Sequence, residues 1–160
     1  MEEQFQIKTI GRVNKEENRF SIEIFRKFIP GLKGIEGFSH LQILWWGHLT
    51  DTPEHRDSLV FHKLFKKGPD NTGTFATRAT SRPNPISVST IKVDHVDEDN
   101  GLIHTPFIDA ETDTPVLDVK PYYPMERVKE PITPKWCEHW PGWYEDSIDF
   151  NWAEEINFSD

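Results

Sequence analysis

A chain of 160 residues suits one domain with a short appendage, and its single cysteine, Cys137, excludes an intramolecular disulfide and fits a reducing compartment. A net charge of −9, with 27 acidic against 18 basic residues, excludes a surface that binds nucleic acid as a whole, because phosphate contact needs clustered Lys and Arg. The acidic start MEEQFQIKTI lacks the apolar centre of a secretion signal, and no apolar run approaches the ~18 residues that cross a membrane, so a soluble cytoplasmic protein is expected.

In chain order, Phe5–Ile10 alternates loosely and ends at Gly11, while Phe20–Ile24 alternates strictly and reads as a half-buried strand. Asn14–Asn18 reads as the hairpin turn between them. Pro30–Gly34 is a turn cluster, and His40–Trp46 is the most apolar strand. Asp51-Thr-Pro-Glu-His starts a helix, with Asp or Thr as N-cap and proline in the first turn, predicted to run toward Phe65 and to break at Gly68–Gly73. Thr74–Thr77 reads as a strand. Ile86–Val96 reads as one long strand whose alternation slips near Ser89-Thr90, the mark of a bulge. Asp97–Gly101 is a turn, Leu102–Ile108 a returning strand, and Val116–Lys120 a last short one. Many short strands and one helix imply a mainly antiparallel sheet or a small barrel.

After Pro134, five aromatic residues (Trp136, Trp140, Trp143, Tyr144 and Trp152) crowd an acidic segment. Aromatics at that density are expected to clamp the tail onto the body or onto a second subunit. The expected division is a β domain over 1–130 and a Trp-rich tail over 131–160.

Few motifs carry chemistry. His48, His55 and His62 are spaced by seven, but Gly47, Thr50 and Pro53 forbid one helix through them, so with His40 they read as scattered polar or core residues. Cys137-Glu-His139 is too little for a zinc site, and no metal is expected. There is no Gly-x-Ser-x-Gly elbow, no phosphate-binding P-loop, and no Gly-x-Gly-x-x-Gly of a Rossmann site.

Two loops remain. In Arg78–Ser87, Pro83 and Pro85 stiffen the backbone and hold Arg82 and Asn84 extended. Such a loop is either a preorganised set of donors, with arginines for carboxylate or phosphate and an amide for an adenine edge, or a rigid corner with solvated arginines. Lys63, Lys66, Lys67, Arg78 and Arg82 lie close in sequence, either as a local basic face or as solvated loops, and composition favours the second. In Thr112–Pro124, Asp118 and Lys120 alternate, so a shared face makes an ion pair or a polar site.

Three ordered stretches, GLKGIEGFSHLQILWW, GTFATRATSRPNPISVS and TDTPVLDVKPYYP, together resemble the TrmO (TsaA-like, YaeB) family over most of residues 5–128. The resemblance implies a small single-sheet antiparallel β-barrel with one or two short helices. It also implies S-adenosylmethionine bound without a Rossmann fold, a homodimer, and N6 methylation of the threonylcarbamoyl-adenosine beside the tRNA anticodon. It places His48, Leu49, Arg78, Val88, Thr112, Asp113, Thr114 and Pro115 near the cofactor. Arg78 either pairs with the methionyl carboxylate or orients the substrate. Arg82, Asn84 and Lys120 fall on the substrate side, and Asn84, Asp118 and Tyr122 are the candidate catalytic residues. Methyl transfer by in-line displacement rests on positioning and desolvation, so it demands no strong acid or base.

This chain departs from the family pattern at four places. Ser87 stands at a usual glycine, and Thr112-Asp113 at a usual Asp-Gly. Asn14–Phe20 is a short polar turn where longer members carry Arg-Gln-Pro-Gly, and the Trp-rich tail stands where they carry a further domain. Three readings follow: a tRNA methyltransferase, an enzyme with the same cofactor and a small-molecule or protein acceptor, or a non-catalytic module that binds S-adenosylmethionine.

Overall fold

A computed structural model describes residues 3–17 and 19–158; Asn18, the end of the predicted hairpin turn, lies outside them, as do Met1, Glu2, Ser159 and Asp160 at the two termini. The strands are β1 (Gly11–Glu16), β2 (Arg19–Ile24), β3 (His40–Trp46), β4 (Val60–His62), β5 (Asn71–Gly73), β6 (Ile86–Lys92), β7 (His95–Asp97), β8 (Leu102–Thr105) and β9 (Pro115–Pro121). Among the described residues the one α-helix, α1 (Pro53–Arg56), has four residues, and short 3-10 turns lie in several of the links. Seven strands form an antiparallel sheet in the order β6-β3-β9-β1-β2-β8-β7, and β4 pairs separately with β5.

The mainly β architecture agrees with the alternation, but the sheet is open rather than a closed barrel, because among the described residues no ladder joins its edges β6 and β7. The reason lies in connectivity. Only Val93 and Asp94 separate these strands, and two residues span at most ~7 Å. The two edges therefore approach each other at one corner, where each strand pairs with its own neighbour, β6 with β3 and β7 with β8. Val93 N donates to Ser39 O next to β3 (2.8 Å), and Asp94 N donates to His104 O on β8 (2.9 Å).

The period-two pattern fills the interior. Leu41, Ile43 and Trp45 of β3 are buried with Val13, Ile22, Ile24, Ile91, Ile103 and Val116. A register shift between Leu44 and Trp45 against β9 brings Trp45 opposite Val116. The irregularity expected near Ser89-Thr90 lies across this ladder instead, and the long strand predicted over 86–96 divides at Val93-Asp94.

Other boundaries differ for physical reasons. The first strand begins at Gly11 and not at Phe5, and Phe5 and Ile7 are exposed. Glycine is needed at the start of this strand, since a Cβ at position 11 would sit 2.1 Å from Glu23 O. Asn14 to Glu16 belong to β1, which shortens the predicted turn. Thr52 caps α1 by accepting a hydrogen bond from His55 N (3.3 Å), but the helix stops at Arg56, and Val60–His62 is taken up as a strand by Asn71–Gly73. Thr74–Ala76 is a 3-10 turn, and the strand begun at Leu102 ends at Thr105.

The Trp-rich tail lies on residues 63–67 of the same chain. Phe65 stacks on Trp136 (centroids 4.6 Å apart), and Trp140 meets Phe65, Trp136 and Trp152 edge-on. The buried Glu155 carboxylate accepts hydrogen bonds from Lys67 Nζ (2.6 Å), His139 Nε2 (2.8 Å) and Trp140 Nε1 (3.2 Å). Among the described residues no helix is long and apolar enough to cross a membrane.

Candidate functional site

A cavity of about 210 Å³ opens where β3 ends, lined by Trp45, Gly47, His48, Leu49, Thr50, Thr80, Asp109, Ala110, Glu111 and Thr114. Three separate stretches of chain build it: the end of β3 with its following turn, the start of the Arg78–Ser87 loop, and the turn that leads into β9. Gly47 allows the first two to meet. A Cβ there would lie 2.9 Å from Thr80 Cβ, and Gly47 N donates to Pro85 O (2.7 Å). The lip His48–Thr50 is braced from behind by Asp51, which accepts from Trp46 Nε1 (2.8 Å) and Arg56 Nε (2.5 Å). Arg56 first, and then Trp46, holds the Asp51 carboxyl below its ordinary range.

The far wall is tied to the sheet. Thr114 N donates to Glu111 O (3.2 Å), Val13 N to Thr114 O (3.0 Å), and Asp113 N to Val13 O (2.8 Å). Asp113 adopts φ 65°, the left-handed conformation that glycine takes without strain, at the position where the resemblance leads one to expect glycine. Deeper in, Trp45 Nε1 donates to the buried Ser89 hydroxyl (2.8 Å), which in turn donates to Asp109 Oδ1. The aromatic floor and one carboxylate of the wall are thus joined through a single buried hydroxyl.

Of the residues placed near the cofactor by resemblance, His48, Leu49 and Thr114 line the cavity. Thr112 and Asp113 are exposed on the adjoining turn, and Pro115 opens β9 opposite Arg12. Arg78 and Val88 meet each other and not the cavity: Arg78 Nη2 donates to Val88 O (2.6 Å) on the edge strand β6. On the substrate side, Arg82 Nη2 donates to Thr74 O (3.1 Å) and Thr77 O (3.2 Å), and Asn84 is exposed, with its carbonyl accepting from Ile86 N (2.7 Å). Lys120 pairs with Asp118 (2.7 Å). These two stand opposite Gln42 and Leu44, on the sheet face away from Ile43 and Trp45. Tyr122 N donates to His40 O at the far end of β3, ~20 Å from Gly47 at ~3.3 Å per residue. The fold therefore does not gather Asn84, Asp118 and Tyr122 around the cavity.

Trp45, Thr50, Thr80, Asp109 and Glu111 were missed by sequence reasoning. Their only signal was adjacency: Thr80 lies within the proline-stiffened loop, and Asp109 and Glu111 lie immediately before Thr112. Ser87 stands opposite Trp45, and its hydroxyl is buried without a partner among the described residues. Among the same residues no group of three or more His, Cys, Asp or Glu side chains is arranged to hold a metal ion.

The likeness to known proteins covers these same elements. Residues 3–126 match the pattern of the tRNA-methyltransferase O N-terminal domain. A probable S-adenosyl-L-methionine-binding protein of Pyrococcus horikoshii is 39% identical over 74% of this chain and 82% of its own length. The tRNA (adenine(37)-N6)-methyltransferase of Escherichia coli K12 is 38% identical over 59% of this chain and 40% of its own length. The crystal structure of TrmO from Pseudomonas aeruginosa superposes with a TM-score of 0.62 at 25% identity, covering 82% of this chain and 62% of that one, so the match spans less than two thirds of the solved chain. With its open antiparallel sheet and a match that runs over residues 3–126, the chain belongs to the family of the tRNA-methyltransferase O N-terminal domain.

Proposed function

We propose that the chain is an S-adenosylmethionine-dependent methyltransferase whose cofactor occupies the cavity at the end of β3. The observation that carries this reading is the convergence of the Trp-Trp strand end, the Thr80 loop and the Thr114 turn on one cavity. The lining fits the cofactor's parts: Trp45 and Leu49 offer apolar surface to a purine, and Thr50, Thr80 and Thr114 are polar partners for a ribose. Asp109 and Glu111 suit a ligand whose net charge is positive. When bound, S-adenosylmethionine supplies a methyl group made electrophilic by its sulfonium. The protein's part is to orient it and exclude water.

The acceptor proposed from the family is adenine N6 in tRNA, and a cytoplasmic homodimer belongs to the same reading. One observation favours a second reading, a small-molecule or protein acceptor. The cations that cluster in the sequence are engaged within the chain, Lys63 with Asp70, Lys66 with Ala153 O, Lys67 with Glu155, and Arg78 and Arg82 with backbone carbonyls. Calorimetric titration with S-adenosylmethionine tests the cofactor, and no heat at millimolar ligand would overturn it. Methyl transfer to bulk RNA, followed as salt rises, tests the acceptor. Transfer to tRNA weakens steeply with salt, turnover of a small molecule far less. Cofactor binding with no methylated product from RNA or cell extract would indicate a binding module.

A further inference from the structure

The charges around the cavity are one-sided. Two carboxylates, Asp109 and Glu111, line it together with the imidazole of His48, and among the described residues no Lys or Arg does. Among the described residues neither carboxylate forms a salt bridge. Arg78, the cation placed near the cofactor by resemblance, is turned to Val88 O. Asp109 is also held in place. The buried Ser89 hydroxyl donates to its Oδ1, and that hydroxyl accepts from Trp45 Nε1, so the indole and the carboxylate are positioned by the same group. A carboxylate held fixed at a concave surface is the chemistry that attracts a cation. Two uncompensated carboxylates exceed what one ribose requires.

We propose that Asp109, positioned by the Ser89–Trp45 chain, makes this cavity discriminate between sulfonium and thioether. It holds the cationic S-adenosylmethionine and releases the charge-neutral product S-adenosylhomocysteine. This rests on the cofactor reading above. The two ligands share adenine, ribose and amino-acid end, and differ at sulfur by one methyl group and one positive charge. A fixed carboxylate near that sulfur therefore acts on their ratio. Glu111, without such a tether, contributes less.

The test is calorimetry with three ligands, S-adenosylmethionine, S-adenosylhomocysteine and sinefungin, which carries an ammonium where the cofactor carries its methylsulfonium. The wild-type chain is expected to bind both cationic ligands about five- to tenfold more tightly than S-adenosylhomocysteine, the range for one partly solvated charge pair. Asp109→Asn brings the three affinities within about twofold by weakening the cations alone, and the preference falls more steeply with salt in the wild type than in the variant. Ser89→Ala lowers the ratio partway. Equal wild-type affinities for all three overturn the proposal. So does an Asp109→Asn protein, folded by circular dichroism, that weakens all three equally, since the carboxylate then serves the ribose. Failure of the wild type to bind any of them overturns the cofactor reading itself, and this proposal with it.

Discussion

The Arg78–Ser87 loop and the Asp109–Thr114 turn are both polar and both touch the cavity at the end of β3, yet they use their polar groups in opposite ways. In the loop, Arg78 donates to Val88 O, Arg82 to Thr74 O and Thr77 O, and the Thr74 hydroxyl to Ser81 O, so the prominent donors serve the backbone. In the turn, Asp109 and Glu111 remain at the cavity wall, and only one Asp109 oxygen is tethered. A charge that satisfies a carbonyl stabilises the fold, whereas one left at a concave surface is available to a ligand. The Trp-rich tail falls with the loop, since Glu155 is surrounded by its own donors.

The largest effect is expected where internal partnering is most complete. Lys67 first, and then His139, holds the Glu155 carboxyl down from its ordinary 4.5 to about 2. Because the folded-state value is depressed, this stabilisation is fully present above pH 4.5 and is lost as pH falls toward 2. Glu155→Ala leaves three donors without their acceptor. Indole fluorescence is expected to shift red at neutral pH and the melting temperature to fall by more than for any loop variant, with cofactor affinity within twofold. A large loss of affinity would mean that the tail belongs to the site.

Arg82→Ala comes next. Loss of a charged donor shared by two carbonyls is expected to cost about 2 kcal/mol in urea unfolding, again with ligand affinity of the folded protein unchanged. Loss of affinity at full stability would reverse the assignment of the loop. Asp109→Asn is expected to do the converse, weakening S-adenosylmethionine by about five- to tenfold while the unfolding midpoint stays in place.

The smallest effects concern the departures from the family pattern. Asp113→Gly relieves a left-handed φ of 65° but adds unfolded-state entropy, for a net gain of about 0.5 kcal/mol. Ser87→Ala removes a buried hydroxyl without a partner and is expected to add about 0.5 kcal/mol. Both are read from chemical denaturation, and destabilisation by either would show that its side chain has a role in this chain.

Much of the fold was legible. Strict alternation located β2, apolar content located β3, and the Thr-Pro pair marked the start of α1. Its length was not legible, because Val60–His62 are recruited by a partner eleven residues away, between Phe61 and Thr72. Gly11 reads as a breaker in sequence but opens β1, where β2's backbone passes too close for a Cβ. At the site, the three motifs pointed to His48, Leu49 and Thr114. Asp109 and Glu111 escaped notice because acidic residues in a chain of net charge −9 carry no local signal.

The sequence by itself determined the strand periodicity, the family, and which stretches are stiff. These are properties of neighbouring residues, written at a period of two or in the φ of proline. Only the tertiary structure decided that the sheet stays open, that the arginines of the stiff loop face backbone carbonyls, and that two ordinary acidic residues border a cavity. Those outcomes depend on which distant groups the curled sheet brings within hydrogen-bonding reach, and no local pattern encodes that distance.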